Sequence, residues 1–302
     1  MTLAHEINTP PNEDSEQYIP AAETVEEASR QARDAFYDII VEPEFEGLLQ
    51  KRNLSPEDTD KPRYWAAVAD FARRASSDMR DNGVAEKDIV LKELYASTPD
   101  YVYAQRFLDH HRGHHGGDER LRDAIHSHKR VVSYYNGLIR GAAEEWPDMT
   151  PTALTRDLEK VANASLEHPV VKHNAPAMLR STVRGAQHEI AFGQIADATG
   201  YRVRGANTTE DLKGIDYVIT NGHGQEVYVD VKASGHELGK RGAEGMAYAH
   251  TERGKLLAHP LSDEEIGDSF YITDDMAHNK AAQLTAVLDT PQHHHAAYSS
   301  GR

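Results

Sequence analysis

The chain has 302 residues, more than one typical hydrophobic core holds and about the length of two domains. It contains no cysteine, which excludes disulfide frameworks, thiolate metal sites and cysteine nucleophiles. Its net charge is −16, from 49 acidic and 33 basic side chains, whereas a nucleic-acid-binding protein usually carries the opposite sign.

The acidic residues are spread along the whole chain, and arginine outnumbers lysine. This pattern is typical of proteins from salt-loving organisms, in which dense salt screens the repulsion between surface acids. No apolar run approaches the roughly 20 residues of a membrane helix, and the first residues lack a secretory signal. The sequence therefore predicts a soluble, halophilic and cytoplasmic protein with no membrane partner.

The first half of the chain has helical patterning. Residues 1–28 are polar, acidic and proline-containing, which predicts a disordered tail. Residues 29–172 predict an all-α domain, because apolar side chains recur there at helical spacing and no segment alternates as a strand. Among its helices we expect 64–79, 85–109, 118–143 and 151–166. This domain is expected to bind DNA, a protein partner or a second copy of the chain as a homodimer.

After Pro176 the pattern changes to mixed helix and strand. Three short segments rich in Val, Ile and Tyr predict strands after a first helix, and a weaker helix, a fourth strand and a last helix follow. In chain order these elements are Leu179–Thr199, Tyr201–Ala206, Ile215–Thr220, Glu226–Ala233, 251–258, Ser269–Thr273 and Asp275–Leu288. The sequence predicts an α/β domain over 173–290, with a central mixed sheet flanked by helices, and a disordered tail over 291–302.

Two acids are expected to face each other in the predicted sheet. A hairpin loop centred on His223 places Asp216 across from Asp230, and Lys232 shares a strand face with Asp230. Like charges at facing positions destabilise a sheet, and burial increases the cost. Such a pair needs a shared proton or a cation. Alternatively, Lys232 simply pairs with Asp230 on a solvated face.

Glu189 supplies a third acid on the preceding helix. Its neighbours three and four positions away are small or apolar, which is unusual for a solvated carboxylate: Gly185, Ala186, Phe192 and Gly193. Oxygen ligands in this number favour Mg²⁺ or Mn²⁺ over zinc. The alternative is an ordinary surface acid on a poorly periodic helix.

The segments RGAQHEIAFGQ, KGIDYVIT and VYVDVKAS carry, in order, the helix acid, the strand acid and the D-x-K of the next strand. Over about residues 177–290 the chain resembles the PD-(D/E)XK, or restriction-endonuclease-like, nuclease superfamily. It looks most like archaeal Holliday-junction resolvases and restriction enzymes that recognise modified DNA. Ile215 stands where the family's name has proline. The resemblance implies a restriction-endonuclease-like fold and a Mg²⁺- or Mn²⁺-dependent DNA endonuclease.

The same resemblance implies a role for each residue of the site. Asp216 and Asp230 would hold the metal, helped by the carbonyl of Val231. Glu189 would be a ligand directly or through water. Lys232 would orient the attacking water and help to deprotonate it. A catalytically inactive nuclease-fold protein that binds DNA or acts as a scaffold is the alternative function.

Two further groups have a functional and a simpler interpretation. Lys240 and Arg241, followed by Arg253 and Lys255, predict a phosphate-contacting loop beside the metal, or else a mobile surface loop. The histidine-rich stretch 109–115 could hold zinc or nickel and make the helical half a metallohydrolase, but a solvated loop is the favoured interpretation.

Overall fold

The computed structural model describes residues 24–39, 42–113, 118–234, 247–251 and 254–290. Most of the two predicted tails lies outside these ranges. The predicted N-terminal tail extends too far, because the first helix begins at Val25 and Ala28 is already buried. In the described part of the chain, no helix combines the length and the apolar character that crossing a membrane requires.

Seven helices come first in the described chain. They are α1 Val25–Ile39, α2 Pro43–Lys51, α3 Pro62–Asp81, α4 Glu86–His110, α5 Glu119–Glu145, α6 Pro151–Ser165 and α7 Pro169–Ala198. Proline occupies the first helical position of α2, α3, α6 and α7, where its missing N–H costs no hydrogen bond. The four predicted helices correspond to α3, α4, α5 and α6, as expected.

Aromatic side chains fill much of the first core. Trp65 of α3 and Tyr95 of α4 are fully buried, and the rings of Tyr101 and Tyr135 stack with 4.2 Å between centroids. Each buried ring removes a large apolar area from water, so α3, α4 and α5 are held together mainly by this core.

The long helix α7 belongs to two hydrophobic cores. Its first part, up to Ala186, packs into the helical core, and its last part, from Ala191, packs into the core beneath the sheet. It starts at Pro169 rather than at the predicted Leu179 and continues through Pro176. The predicted division at residue 173 therefore falls inside α7. One rigid helix joins the helical part of the chain to the part that contains the sheet.

The C-terminal part is an α/β unit with a five-stranded mixed sheet in the order β1-β2-β3-β5-β4. Its elements are β1 Arg202–Gly205, α8 Thr208–Asp211, β2 Tyr217–Thr220, β3 Glu226–Val231, β4 Tyr248–His250, β5 Lys255–Ala258, α9 Asp263–Ile266 and α10 Asp274–Leu288. Strands β3 and β5 are parallel, and the other neighbours are antiparallel. Helices α7 and α10 bury the apolar side chains of β3.

Two predicted elements are wrong. The segment 251–258 contains the strand β5 instead of a helix, because its apolar run lies beside β3 in the sheet. Ser269–Thr273 is not a strand, although its residues Phe270 and Ile272 are buried as alternation predicts. Side chains of α7 take its backbone hydrogen bonds: the Gln187 amide donates to the Ser269 carbonyl, and the Gln194 Oε1 accepts from the Ile272 N–H.

Candidate active site

The hairpin of β2 and β3 brings two acids together at its open end. Its paired residues run from Thr220 with Glu226 to Tyr217 with Val229, which confirms the predicted register centred on His223. Asp216 and Asp230 lie one residue beyond this last pair, and the charge of Asp230 contributes to the raised pKa of Asp216. At this end of the hairpin, the Asp216 N–H donates a hydrogen bond to the Val229 carbonyl at 2.8 Å.

The Asp216 carboxylate is anchored from one side only. Its Oδ2 accepts a hydrogen bond from the Val231 N–H at 2.6 Å. Within the described ranges its Oδ1 has no protein donor, and neither oxygen forms an ion pair with lysine or arginine. The N–H and C=O of a strand residue point to the same edge, so the Val231 carbonyl also faces Asp216. Asp216 is therefore the acid with most unused capacity for a ligand.

Asp230 lies between two lysines. It is 8% exposed, the Lys232 ammonium forms an ion pair with its Oδ1, and the Lys255 ammonium lies 3.3 Å from its Oδ2. Lys255 also donates to the carbonyls of Lys213 and Gly214, in the loop that precedes Asp216. Lys255, expected in a phosphate-contacting loop, instead begins β5 and links Asp230 to the loop before Asp216.

Glu189 faces the helical part of the chain. Its Oε2 lies 3.1 Å from Nη1 of Arg140, which is on α5. Its backbone carbonyl accepts a hydrogen bond from the Tyr217 hydroxyl at 2.9 Å. This contact needs glycine at position 193, because a Cβ there would lie 2.8 Å from the same hydroxyl oxygen. The small helix face that the sequence indicated is thus the surface on which α7 meets β2.

Burial and neighbouring acids raise the pKa of Glu189 and of Asp216. Burial is the main reason that the pKa of Glu189 lies above its ordinary value, and the neighbouring charge of Asp216 adds to the effect. Burial also raises the pKa of Asp216, with a further contribution from Asp230, while the Val231 N–H acts in the opposite direction. Two carboxyl groups are therefore held in a place that penalises their negative charge, which a cation would relieve.

A cleft of about 480 Å³ leads to Asp216. The α5 helix forms one wall, and the segment around β1, α8 and β2 forms the other. Its lining includes Ser133, Gly137, Arg140, Gly141 and Glu144 from α5, and Asp211, Asp216 and Tyr217 from the opposite wall. The cleft makes Asp216 and Arg140 accessible from solvent at one place.

The donor set suits a hard divalent cation in its chemistry, because Glu189, Asp216, Asp230 and the Val231 carbonyl offer only oxygen atoms. Across the described residues, however, no three acidic or histidine side chains already form a metal-binding group. Two of the acids are turned towards basic side chains instead, Glu189 to Arg140 and Asp230 to its two lysines. A cation would have to compete with these internal positive charges.

The other predicted groups contribute nothing further to this site. Lys240 and Arg241 lie outside the described residues, as does Arg253. In the histidine-rich stretch, His114 and His115 are also outside the described ranges. His110 and His111 lie at the end of α4 with their rings in contact, and they belong to no metal-binding group in the part described.

The sequence identified four side chains of this site: Glu189, Asp216, Asp230 and Lys232. It did not predict the ion pairs of Arg140 with Glu189 and of Lys255 with Asp230. Arg140 carried no signal, since it is an ordinary basic residue in a helix of another region. Comparison of the chain with protein-family models, with curated proteins and with solved structures gives no match. The resemblance to the PD-(D/E)XK superfamily therefore rests on the site residues and on the order of the elements that carry them.

Proposed function

We propose that this chain is a Mg²⁺- or Mn²⁺-dependent DNA endonuclease of the restriction-endonuclease-like superfamily. The observation that carries the proposal is the proximity of Asp216 and Asp230 at the open end of one hairpin, with Lys232 in contact with Asp230. Glu189 and Asp216, whose pKa values are raised by burial and by neighbouring acids, are costly to retain for stability alone. Function is the simplest reason to keep them.

Each residue has a defined task in this proposal. Asp216 and Asp230 would bind the cation, and Glu189 would complete the site after exchanging its bond with Arg140. The cation, when bound, supplies Lewis-acid stabilisation of the charge that builds up on the scissile phosphate. Lys232 would hold the attacking water and add positive charge beside the phosphate.

The test is a digestion panel of linear, branched, modified and single-stranded DNA, with Mg²⁺, with Mn²⁺ and with EDTA. Cleavage that requires the metal and is lost in Asp216→Ala supports the proposal. RNA of matched sequence belongs in the same panel, because the carboxylate chemistry does not distinguish the sugars. No metal-dependent cleavage of any substrate would overturn the proposal.

The second candidate is a catalytically inactive protein that keeps the nuclease fold to bind DNA or to act as a scaffold. The internal ion pairs favour it, because Arg140, Lys232 and Lys255 already compensate two of the three acids. Thermal unfolding distinguishes the two functions. The enzyme requires stabilisation by Mg²⁺ or Mn²⁺ that vanishes in Asp216→Ala, whereas the inactive protein requires none.

A further inference from the structure

One face of α5 carries basic side chains in line with the candidate active site. At about 100° per residue, Arg122, Lys129, Ser133 and Arg140 fall within a narrow stripe of the helix surface. Arg122 and Lys129 are exposed, and Ser133 and Arg140 are half-buried. The stripe is therefore open to solvent along its length and turned towards the cleft at its end.

The described residues provide no carboxylate partner for the positive charge at the outer end of this stripe. Throughout the described residues, Arg122 and Lys129 form no ion pair with a carboxylate. By contrast, Arg33 pairs with Asp157, Arg180 with Glu159, and Arg204 with Glu210. The outer end of the stripe therefore offers two exposed cations to an anionic ligand, although the chain carries a net charge of −16.

The inner end of the stripe is a wall of the cleft that contains Asp216. Ser133, Gly137 and Arg140 line it together. Gly137 is exposed, and a Cβ built on it would meet no atom within 4 Å, so packing inside the protein does not require glycine there. Because this residue has no side chain, the helix surface is low at this position. A ligand that followed the stripe would pass over this low surface and reach Asp216.

We propose that the stripe formed by Arg122, Lys129, Ser133 and Arg140 is the track along which a nucleic-acid backbone enters the candidate active site. This inference rests on the proposed nuclease function and gives the helical part of the chain a role in it. From Arg122 to Arg140 the stripe extends about 27 Å at about 1.5 Å per residue. That is about eight steps of duplex DNA at about 3.4 Å each.

Charge complementarity selects this occupant. Spaced cations along a line match phosphates, which repeat regularly and carry one negative charge each, and the Ser133 hydroxyl can donate to a phosphate oxygen. Arg140 would leave Glu189 for a phosphate as the cation takes its place, so substrate and metal would assemble together. An acidic protein segment is the competing occupant, and the experiment below distinguishes it from a nucleic acid.

The experiment measures binding and cleavage on the same preparations of full-length protein. The test variant is Arg122→Ala with Lys129→Ala. The matched control is Arg30→Ala with Lys51→Ala, which removes two exposed cations of α1 and α2 that also lack ion pairs in the described part of the chain. Those helices pack on α3 and α4. Fluorescence anisotropy with labelled DNA, in EDTA and in Mg²⁺, gives Kd over a series of salt concentrations.

The expected result is about tenfold weaker DNA binding at low salt for the test variant. The plot of log K against log salt for duplex DNA should also become shallower by about two, because each lost phosphate contact releases about 0.9 fewer counterions. The control should bind like the wild type. Labelled polyglutamate should bind weakly and alike to all three proteins.

Three outcomes would overturn the track. One is equal DNA binding by the test and control variants. Another is a wild-type protein that binds no DNA at all. The third is a loss of polyglutamate binding in the test variant without loss of DNA binding, which would assign the stripe to an acidic protein. Cleavage by the wild type is measured separately. If DNA binding depended on α5 but no cleavage occurred, the nuclease function would be wrong and the DNA-binding track would still stand.

Discussion

Arg140 of α5 and Glu189 of α7 form an ion pair, with 3.1 Å between Nη1 and Oε2. The pair joins a helix of the all-α part to the helix that begins the α/β part. Glu189 is half-buried and lies near Asp216, Asp211 and Asp230, so Arg140 is the main internal source of positive charge for it. The helical part therefore takes part in the electrostatics of the candidate active site.

Replacing Arg140 should lower the stability of the protein and strengthen its metal binding. Arg140→Ala should lower the free energy of unfolding of the metal-free protein by on the order of 1–2 kcal/mol, since a partly buried acid loses its partner. The same change should tighten Mg²⁺ binding, because a competing cation is gone. Arg33→Ala is the control: it breaks the comparable pair with Asp157 and should leave the metal affinity unchanged. Weaker Mg²⁺ binding in Arg140→Ala would contradict this account.

The two hairpin acids should respond differently to neutralisation. Asp216→Asn should leave the metal-free protein as stable as the wild type or more stable, because it removes repulsion and keeps an oxygen for the Val231 N–H. Asp230→Asn should lose on the order of 1–2 kcal/mol, because Lys232 and Lys255 lose their shared partner. Both should abolish cleavage. Chemical denaturation of the two variants in EDTA provides the measurement, and an equal large loss in both would make Asp216 a structural residue.

The docking of α7 on β2 can be tested with two glycines of the same helix. Gly193→Ala places a Cβ 2.8 Å from the Tyr217 hydroxyl oxygen and should destabilise by about 1–2 kcal/mol. Gly185→Ala meets no atom within 4 Å and should stabilise by about 0.5–1 kcal/mol through helix propensity. Thermal unfolding compares them. If Gly193→Ala behaved like Gly185→Ala, the close approach of Tyr217 to α7 would be wrong.

The features that could be predicted from the sequence are local ones. The proximity of Asp216 and Asp230 follows from the two-residue period of strands and from a short loop, which fix the register of β2 and β3 without knowledge of the rest of the fold. The contacts of Arg140 and Lys255 depend on packing between distant segments, α5 against α7 and β5 beside β3. A run of four residues such as Lys255–Ala258 has too little periodicity to distinguish a buried parallel strand from a helix.

Acidification should reveal the repulsion around Glu189. Its pKa is raised in the folded protein, so the charged form destabilises the fold, and stability is recovered as the pH falls towards the ordinary value of 4.5. The wild type should therefore gain stability relative to Glu189→Gln between about pH 8 and about pH 5 in EDTA. His188 acts oppositely, since burial lowers its pKa to about 4, but it is present in both proteins and cancels in the difference. A difference independent of pH would contradict the raised pKa.

The central claim concerns Lys232, because it separates a nuclease from a simple cation site. Metal titration and single-turnover cleavage of DNA should be measured on the same preparations of wild type and Lys232→Ala. Loss of the ion pair with Asp230 removes a positive charge from an acidic cluster, so Mg²⁺ should bind at least as tightly as before. Cleavage should slow by at least about a hundredfold, the usual effect of losing one group that stabilises transition-state charge. Near-normal cleavage by Lys232→Ala, with Mg²⁺ bound, would contradict the account.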